Sequence, residues 1–250
     1  MTMAVGFVCE DGIVIGADRQ VTGATYTFPE CKLRGIKWKN GRGIWSYSGA
    51  LDTAKEFQRE LESRLMLDRV ATISEVRLFL KESLNVCLKK KEGFQTLFGL
   101  WIDEEWPALL LSNRADVVDA GRCEIIGWGD SALARFLRGL FLMSPGRPTL
   151  QQATSSAIYF ISQAQKYDGQ YVGGGTDVWS IDSNHQTRIM DIAWTGPWEK
   201  ELDVMEFKTV ALFGLLTHRE IPAERIPQEL EAFNLHVKGF CAKVREGRWR

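Results

Sequence analysis

The sequence predicts an α+β fold, a four-layer αββα sandwich of two antiparallel sheets flanked by helix pairs, followed by a C-terminal helical extension. Three observations lead there. Strand-like runs come in groups separated by helix pairs, in the order strands, two helices, strands, two helices, strands. Asp11-Gly12 and Asn40-Gly41 supply hairpin turns, which join antiparallel neighbours rather than parallel ones. The opening runs are apolar at nearly every position, as strands covered on both faces must be.

Residues 3–9 and 12–18 form the first pair of strands, turned at Asp11-Gly12. Lys32–Trp38 and Gly43–Ser48 form the second, joined by Lys39-Asn40-Gly41-Arg42. Helical spacing then takes over. Leu51, Ala54, Phe57, Leu61 and Leu65 recur every three or four residues, and Ile73, Val76, Leu80, Leu84 and Cys87 repeat the pattern. Thr72 and Glu75 have the spacing of a capping box at the second helix, and Lys89-Lys90-Lys91 complements its C-terminal dipole. Strands return at Phe94–Ile102, Trp106–Ser112 and Cys123–Gly127, followed by helices at Ser131–Phe141 and Leu150–Gln165. Val178–Ile181 and Arg188–Ile192 make a further hairpin. Residues 1–195 thus read as the sandwich domain. Residues 196–250 read as helices, with Val210, Phe213 and Leu216, then Leu230, Phe233, Val237, Phe240 and Val244 in apolar stripes. This extension would pack on the domain or on a neighbouring subunit.

Bulk properties narrow the function. Lys+Arg 31 against Asp+Glu 32 leaves a net charge of -1, which gives no electrostatic reason to bind nucleic acid or an anionic membrane. No apolar run has the length of a membrane span and no secretory leader is legible, so a cytoplasmic protein is expected. The five cysteines, Cys9, Cys31, Cys87, Cys123 and Cys241, are scattered and odd in number, which reads as reduced packing residues. His185, His218 and His236 lack metal-ligand spacing, so neither a metal nor a cofactor is expected. The nine tryptophans are read as packing or subunit contacts.

The chemistry starts at Thr2. Aminopeptidases trim methionine before small residues, which would leave Thr2 as the amino terminus. A terminal threonine holds a nucleophilic hydroxyl and, with a reference pKa of roughly 7.7–8.0, an amine able to act as its base. No histidine is then required. Taken singly, Asp18 reads as a turn cap, Lys32 as a solvated strand residue and Gly49 as a helix-entry glycine. Together with Thr2 they read as a catalytic set.

Thr2-Met3-Ala4-Val5-Gly6, followed by Asp11-Gly12-Ile13-Val14-Ile15-Gly16-Ala17-Asp18-Arg19, resembles the opening of proteasome β-type subunits, above all the simpler bacterial HslV-type protease subunit. Lys32-Leu33-Arg34-Gly35-Ile36 resembles that family's lysine segment, and Ser48-Gly49-Ala50-Leu51-Asp52 its small-residue loop. The likeness spans about residues 2–195 and is strongest over about the first 60. It implies an N-terminal-nucleophile (Ntn) hydrolase fold and a threonine endopeptidase acting on polypeptides. It also implies stacked homo-oligomeric rings fed by an ATP-dependent unfoldase, a separate protein because this chain has no phosphate-loop motif.

The resemblance assigns roles. Thr2 would attack the peptide carbonyl and Lys32 would lower the hydroxyl's pKa by its charge. Asp18 would keep that ammonium charged and oriented. Gly49 would offer an oxyanion-stabilising N–H, worth roughly 2.7–4 kcal/mol, with no side chain to crowd the substrate. In this reading the lysine serves charge and not packing. Gly127-Trp128-Gly129-Asp130-Ser131 resembles the family's Gly-x-Gly-Ser turn; its register admits Asp130 or Ser131, and Ser131 is preferred. Asp168 matches the family's aspartate.

Two departures stand out. Tyr171 or Val172 occupies the place of an expected serine. Lys32 lies two residues nearer the threonine than in the family, where Arg34 would keep the ungapped spacing, whereas Lys32 keeps the following Leu-x-x-Ile pattern. Two further functions remain open at the level of sequence: a catalytically inactive scaffold subunit, and an amidase acting on a small amide.

Overall fold

A computed structural model of the chain describes residues 2–23, 26–67, 72–87, 93–103, 105–113, 116–127, 132–143, 146–217 and 225–246. Its strands are β1 (Met3–Val8), β2 (Gly12–Asp18), β3 (Gln20–Thr22), β4 (Thr27–Pro29), β5 (Arg34–Trp38), β6 (Gly41–Ser48), β7 (Gln95–Ile102), β8 (Ala108–Asn113), β9 (Asp116–Asp119), β10 (Cys123–Gly127), β11 (Thr176–Asp182) and β12 (Thr187–Met190). The helices are α1 (Leu51–Leu67), α2 (Ile73–Cys87), α3 (Ala132–Met143), α4 (Leu150–Tyr167), α5 (Ile192–Thr217) and α6 (Arg225–Glu246). One antiparallel sheet has the order β10-β1-β2-β11-β12 and the other β5-β6-β7-β8-β9. This is the expected αββα sandwich.

Strand alternation builds its layers. Met3, Val5 and Phe7 face outward onto Leu137 of α3 and Ala157 and Ile161 of α4. Ala4, Ile13 and Ile15 face inward, where they meet Ile44, Leu97 and Leu109 of the second sheet. Trp45, Tyr47 and Phe98 on the far side of that sheet pack against Phe57 and Leu61 of α1 and Leu80 and Leu84 of α2. Both faces of β1 and β2 are therefore buried, which is why these strands read as continuous apolar runs.

The turns depart in detail from the expectation. Trp38 pairs with Gly41, so the second hairpin turns on Lys39-Asn40 and Gly41 already belongs to β6. Asp11 does more than turn the chain: its carboxylate accepts the N–H of Leu150 at 2.7 Å and so caps α4. The short β3, β4 and β9 have no counterpart in the sequence reading, because three- and four-residue strands carry too little alternation. At α2, Glu75 N donates to Thr72 Oγ1 and Thr72 N to Glu75 Oε2, the expected reciprocal box. The Lys89–Lys91 run and Ser131 lie outside the described residues.

Helix α4 starts with a second capping box, Gln152 N donating to Thr149 Oγ1 and Thr149 N to Gln152 Oε1. Thr149→Ala removes one of these bonds and should cost about 1 kcal/mol. The thermal midpoint should fall by about 2–4 °C; an unaltered midpoint would show that Asp11 alone suffices as the cap.

Helix α5 begins at Ile192, upstream of Pro197, and runs to Thr217. Its first turns dock on the first sheet, with Thr195 and Trp198 buried and Thr195 Oγ1 donating to Thr176 O. Farther along, Glu206 accepts from Gln163 and Lys166 of α4. Phe233, Val237 and Phe240 of α6 are half-buried, in keeping with an apolar stripe turned to a neighbour.

Candidate active site

Antiparallel pairing brings the amino-terminal end of β1 beside the carboxy-terminal end of β2, with Ala4 opposite Ala17. Thr2 therefore lies next to Asp18, although the two are far apart in sequence. The Met3 N–H donates to Asp18 Oδ1 at 2.9 Å. Lys32, in the loop leading to β5, reaches across from the second sheet and places Nζ 2.8 Å from the same oxygen. Gln20 N and Gly173 N donate to Asp18 Oδ2 at 3.1 and 3.2 Å. Thr2 is 5% exposed, Lys32 1% and Asp18 0%.

Electrostatics follow from that burial. Desolvation pushes the Asp18 carboxyl up and the Lys32 ammonium down from their ordinary values, and each partner's charge and hydrogen bond oppose the shift. Asp18 accepts four donors, three of them backbone N–H groups, and a carboxylate satisfies that set whereas a carboxylic acid does not. The pair is therefore charged, with a lysine whose proton is held less tightly than in water. Arg34 does not compete for this place. It bonds Glu30 and the carbonyls of Leu33 and Cys31 instead. The shorter connection that keeps Lys32 in register is the one the chain adopts.

Gly49 follows the last residue of β6 and is exposed, as is Ala50 beside it. Its φ of +128° explains the glycine, since side chains rarely tolerate that conformation, and a Cβ there would press on Phe94 and Gly93. The backbone itself thus demands the glycine, a stronger reason than crowding of a substrate. Asp168 is the C-cap of α4, and its carbonyl accepts the N–H groups of Tyr171 and Val172. This turn delivers Gly173 to Asp18. Neither candidate for the missing serine takes its place: Val172 is buried in the core and Tyr171 is 40% exposed. The contact to the site comes from a backbone N–H, which no side-chain motif reports.

Sequence reasoning also missed Arg19, whose N–H contacts the carbonyls of Gly173 and Gly175 and whose guanidinium pairs with Asp177 at 3.0 Å. The signal was available, since Arg19 follows Asp18 directly. Cys31, adjacent to Lys32, is no rival nucleophile: burial, with Asp177 nearby, pushes its thiol up to about 11. Among the described residues no group of three or more His, Cys, Asp or Glu side chains is placed to hold a metal ion. No described helix is long and apolar enough to cross a membrane.

A cleft of about 680 Å³ lies elsewhere, lined by Asp11, Leu150, Asp182, Arg188 and Trp194. Asp18 pairs with Thr176 and Gly12 with Asp182, so the cleft sits at the opposite end of β2 and β11, about 20 Å away. It holds none of the groups gathered at Thr2. Convergence of chemistry, not concavity, marks the site.

No protein-family model matches the sequence, and no curated protein matches it. Solved structures do resemble the fold. Anbu from Hyphomicrobium sp. strain MC1 superposes with a TM-score of 0.72 at 13% identity, over 88% of this chain and 100% of that one. Anbu (ancestral beta-subunit) from Yersinia bercovieri gives 0.71 at 17%, over 88% and 100%. The Anbu complex from Pseudomonas aeruginosa, determined as a helical assembly, gives 0.69 at 15%, over 89% and 99%. At such identities the likeness is one of architecture, and by architecture this chain has the proteasome-like Ntn-hydrolase fold of the Anbu proteins.

Proposed function

We propose that the chain is a threonine-type endopeptidase subunit of a proteasome-like self-compartmentalising assembly, with Thr2 as nucleophile once Met1 is removed. The observation that carries this reading is the buried Asp18 carboxylate, bonded at once to the Met3 N–H, next to Thr2, and to the Lys32 ammonium. Neutralising two buried charges in the core would be simpler for folding alone, because such pairs add little net stability over apolar packing. Their burial beside a threonine points to chemistry.

In the proposed reaction Thr2 Oγ forms a bond to the peptide carbonyl carbon while the Thr2 amine takes the hydroxyl proton. The Gly49 N–H stabilises the oxyanion. The amine then passes the proton to the departing nitrogen as the C–N bond breaks, leaving an ester on Thr2. Water, deprotonated by the same amine, hydrolyses the ester and restores Thr2. Lys32 favours the alkoxide by its charge. Asp18 fixes the ammonium. Ser131 and Asp168 belong to the surrounding hydrogen-bond network in this proposal.

Phe207, Val210 and Phe213 on α5 are 74%, 64% and 68% exposed, which supports association of copies of this chain through the helical extension. Polypeptides delivered by a separate ATP-dependent unfoldase are the proposed substrates.

N-terminal sequencing together with a threonine-directed covalent probe tests the proposal. The mature protein should begin at Thr2 and take up one probe per chain, and Thr2→Ala should take up none. A retained Met1 with no adduct would overturn the proposal and leave a scaffold subunit.

A further inference from the structure

The two strands that flank β1 are β2 and β10, and each is tied at the Thr2 end to the opposite sheet by one side chain. On the β2 side the tie is Lys32 to Asp18. On the β10 side it is Gln95, the first residue of β7, whose Oε1 accepts the N–H of Gly127 at 3.3 Å. Gly127 stands opposite Met3, so the last two N–H groups of the β1–β10 ladder are both taken by side chains, Met3's by Asp18 and Gly127's by Gln95.

Gly127 also touches the nucleophile's own backbone. A Cβ built on it would lie 1.9 Å from the Thr2 carbonyl oxygen and 2.9 Å from Ser48 Oγ. Its φ of +77° allows that approach. Ser48 pairs with Gln95 across β6 and β7, and Ser48 precedes Gly49. One side chain therefore links the strand end carrying Thr2 to the strand end carrying Gly49.

We infer that Gln95 is a positioning residue that fixes the separation of Thr2 from the Gly49 N–H by holding Gly127 against the second sheet. The inference rests on the peptidase reading for its consequence, though not for its geometry. Displacing a nucleophile relative to its oxyanion donor weakens the transition state more than substrate binding, so kcat is the quantity it governs.

The experiment compares Gln95→Leu, which keeps the size and loses the acceptor, with Gln95→Glu, which keeps an acceptor. In the active protein Gln95→Leu should lower kcat for a fluorogenic peptide on the order of tenfold with KM within about twofold, and Gln95→Glu should recover most of the loss. Unchanged kcat in the leucine variant, or an equal loss in both variants, overturns the inference. Hydrogen exchange of the peptic fragment containing Gly127, followed by mass spectrometry, needs no activity. It should quicken about tenfold in Gln95→Leu and stay near wild type in Gln95→Glu. If the wild-type protein neither labels nor hydrolyses, the peptidase reading fails, while the exchange rates still decide the clamp: faster exchange in the leucine variant alone supports it, and equal rates overturn it.

Discussion

In the proposed peptidase, Lys32→Met is expected to lower peptide hydrolysis by about 10²–10³-fold and, at the same time, to destabilise the protein. The sequence had suggested a lysine that serves charge alone, whose removal would leave the fold untouched. The structure joins the two roles, because Lys32 is among the largest fully buried side chains and its ammonium neutralises a carboxylate with no exposed surface. Methionine fills most of the stem's volume, so the cost is chiefly the orphaned charge of Asp18. Breaking a buried pair from one side costs about 3–5 kcal/mol. Three backbone N–H donors still serve Asp18, which argues for the lower end. The thermal midpoint should drop by about 6–12 °C.

The sign of the pH dependence separates this account from simple loss of packing. Burial already pushes the Asp18 carboxyl up, and Lys32 is the largest influence opposing it. Without Lys32 the folded variant takes up a proton at a pH where an unfolded aspartate, with a pKa of about 3.9, has released its own. A raised folded-state pKa lowers stability as pH rises through it, so Lys32→Met should gain stability on acidification from pH 8 to about 5. Thermal melts of the variant and the wild type across that interval measure the difference. A variant that keeps its hydrolysis, or whose stability follows the wild-type pH profile, would contradict the charged-pair account.

Gly127→Ala should be the most damaging exchange of a single hydrogen for a methyl group among the described glycines. The methyl carbon would meet the Thr2 carbonyl oxygen at 1.9 Å, a separation no rearrangement of side chains can relieve, because both partners are backbone. The φ of +77° adds conformational strain for any residue bearing a Cβ. Overpacking and strain of about 1–3 kcal/mol each combine to about 3–5 kcal/mol, or a midpoint lowered by about 10 °C. The strand end can escape only by parting β1 from β10, so covalent labelling of Thr2 should be lost even below the melting transition. The contrast is Gly121→Ala, at a φ of +70° with nothing near its Cβ, which should cost about 1 kcal/mol and leave labelling intact. Equal effects at the two glycines would mean that strain alone, and not the contact with Thr2, sets the outcome.

The periodicities of β1, β2, α1 and α2 were legible in the sequence because burial on defined faces leaves a repeat of apolar residues, and repeats survive in one dimension. The aspartate, lysine and glycine of the proposed site were legible for another reason: their spacing from Thr2 resembles a known family. Gln95 was not: it acts through a contact between sheets and leaves no periodic or compositional trace. Ser131 lies outside the described residues, and neither Tyr171 nor Val172 offers, among the described residues, a side-chain substitute for the expected serine.

The sequence by itself determined the layered α+β architecture and named the groups on which the proposed threonine chemistry draws, since both depend on which residues occur and at what spacing. Tertiary structure alone decided that Lys32 rather than Arg34 meets Asp18, that this pair is sealed from solvent, and that Gly127 abuts the Thr2 carbonyl. Those outcomes depend on the register between strands and the distance between sheets, quantities set by packing of the whole core and carried by no local stretch of the chain.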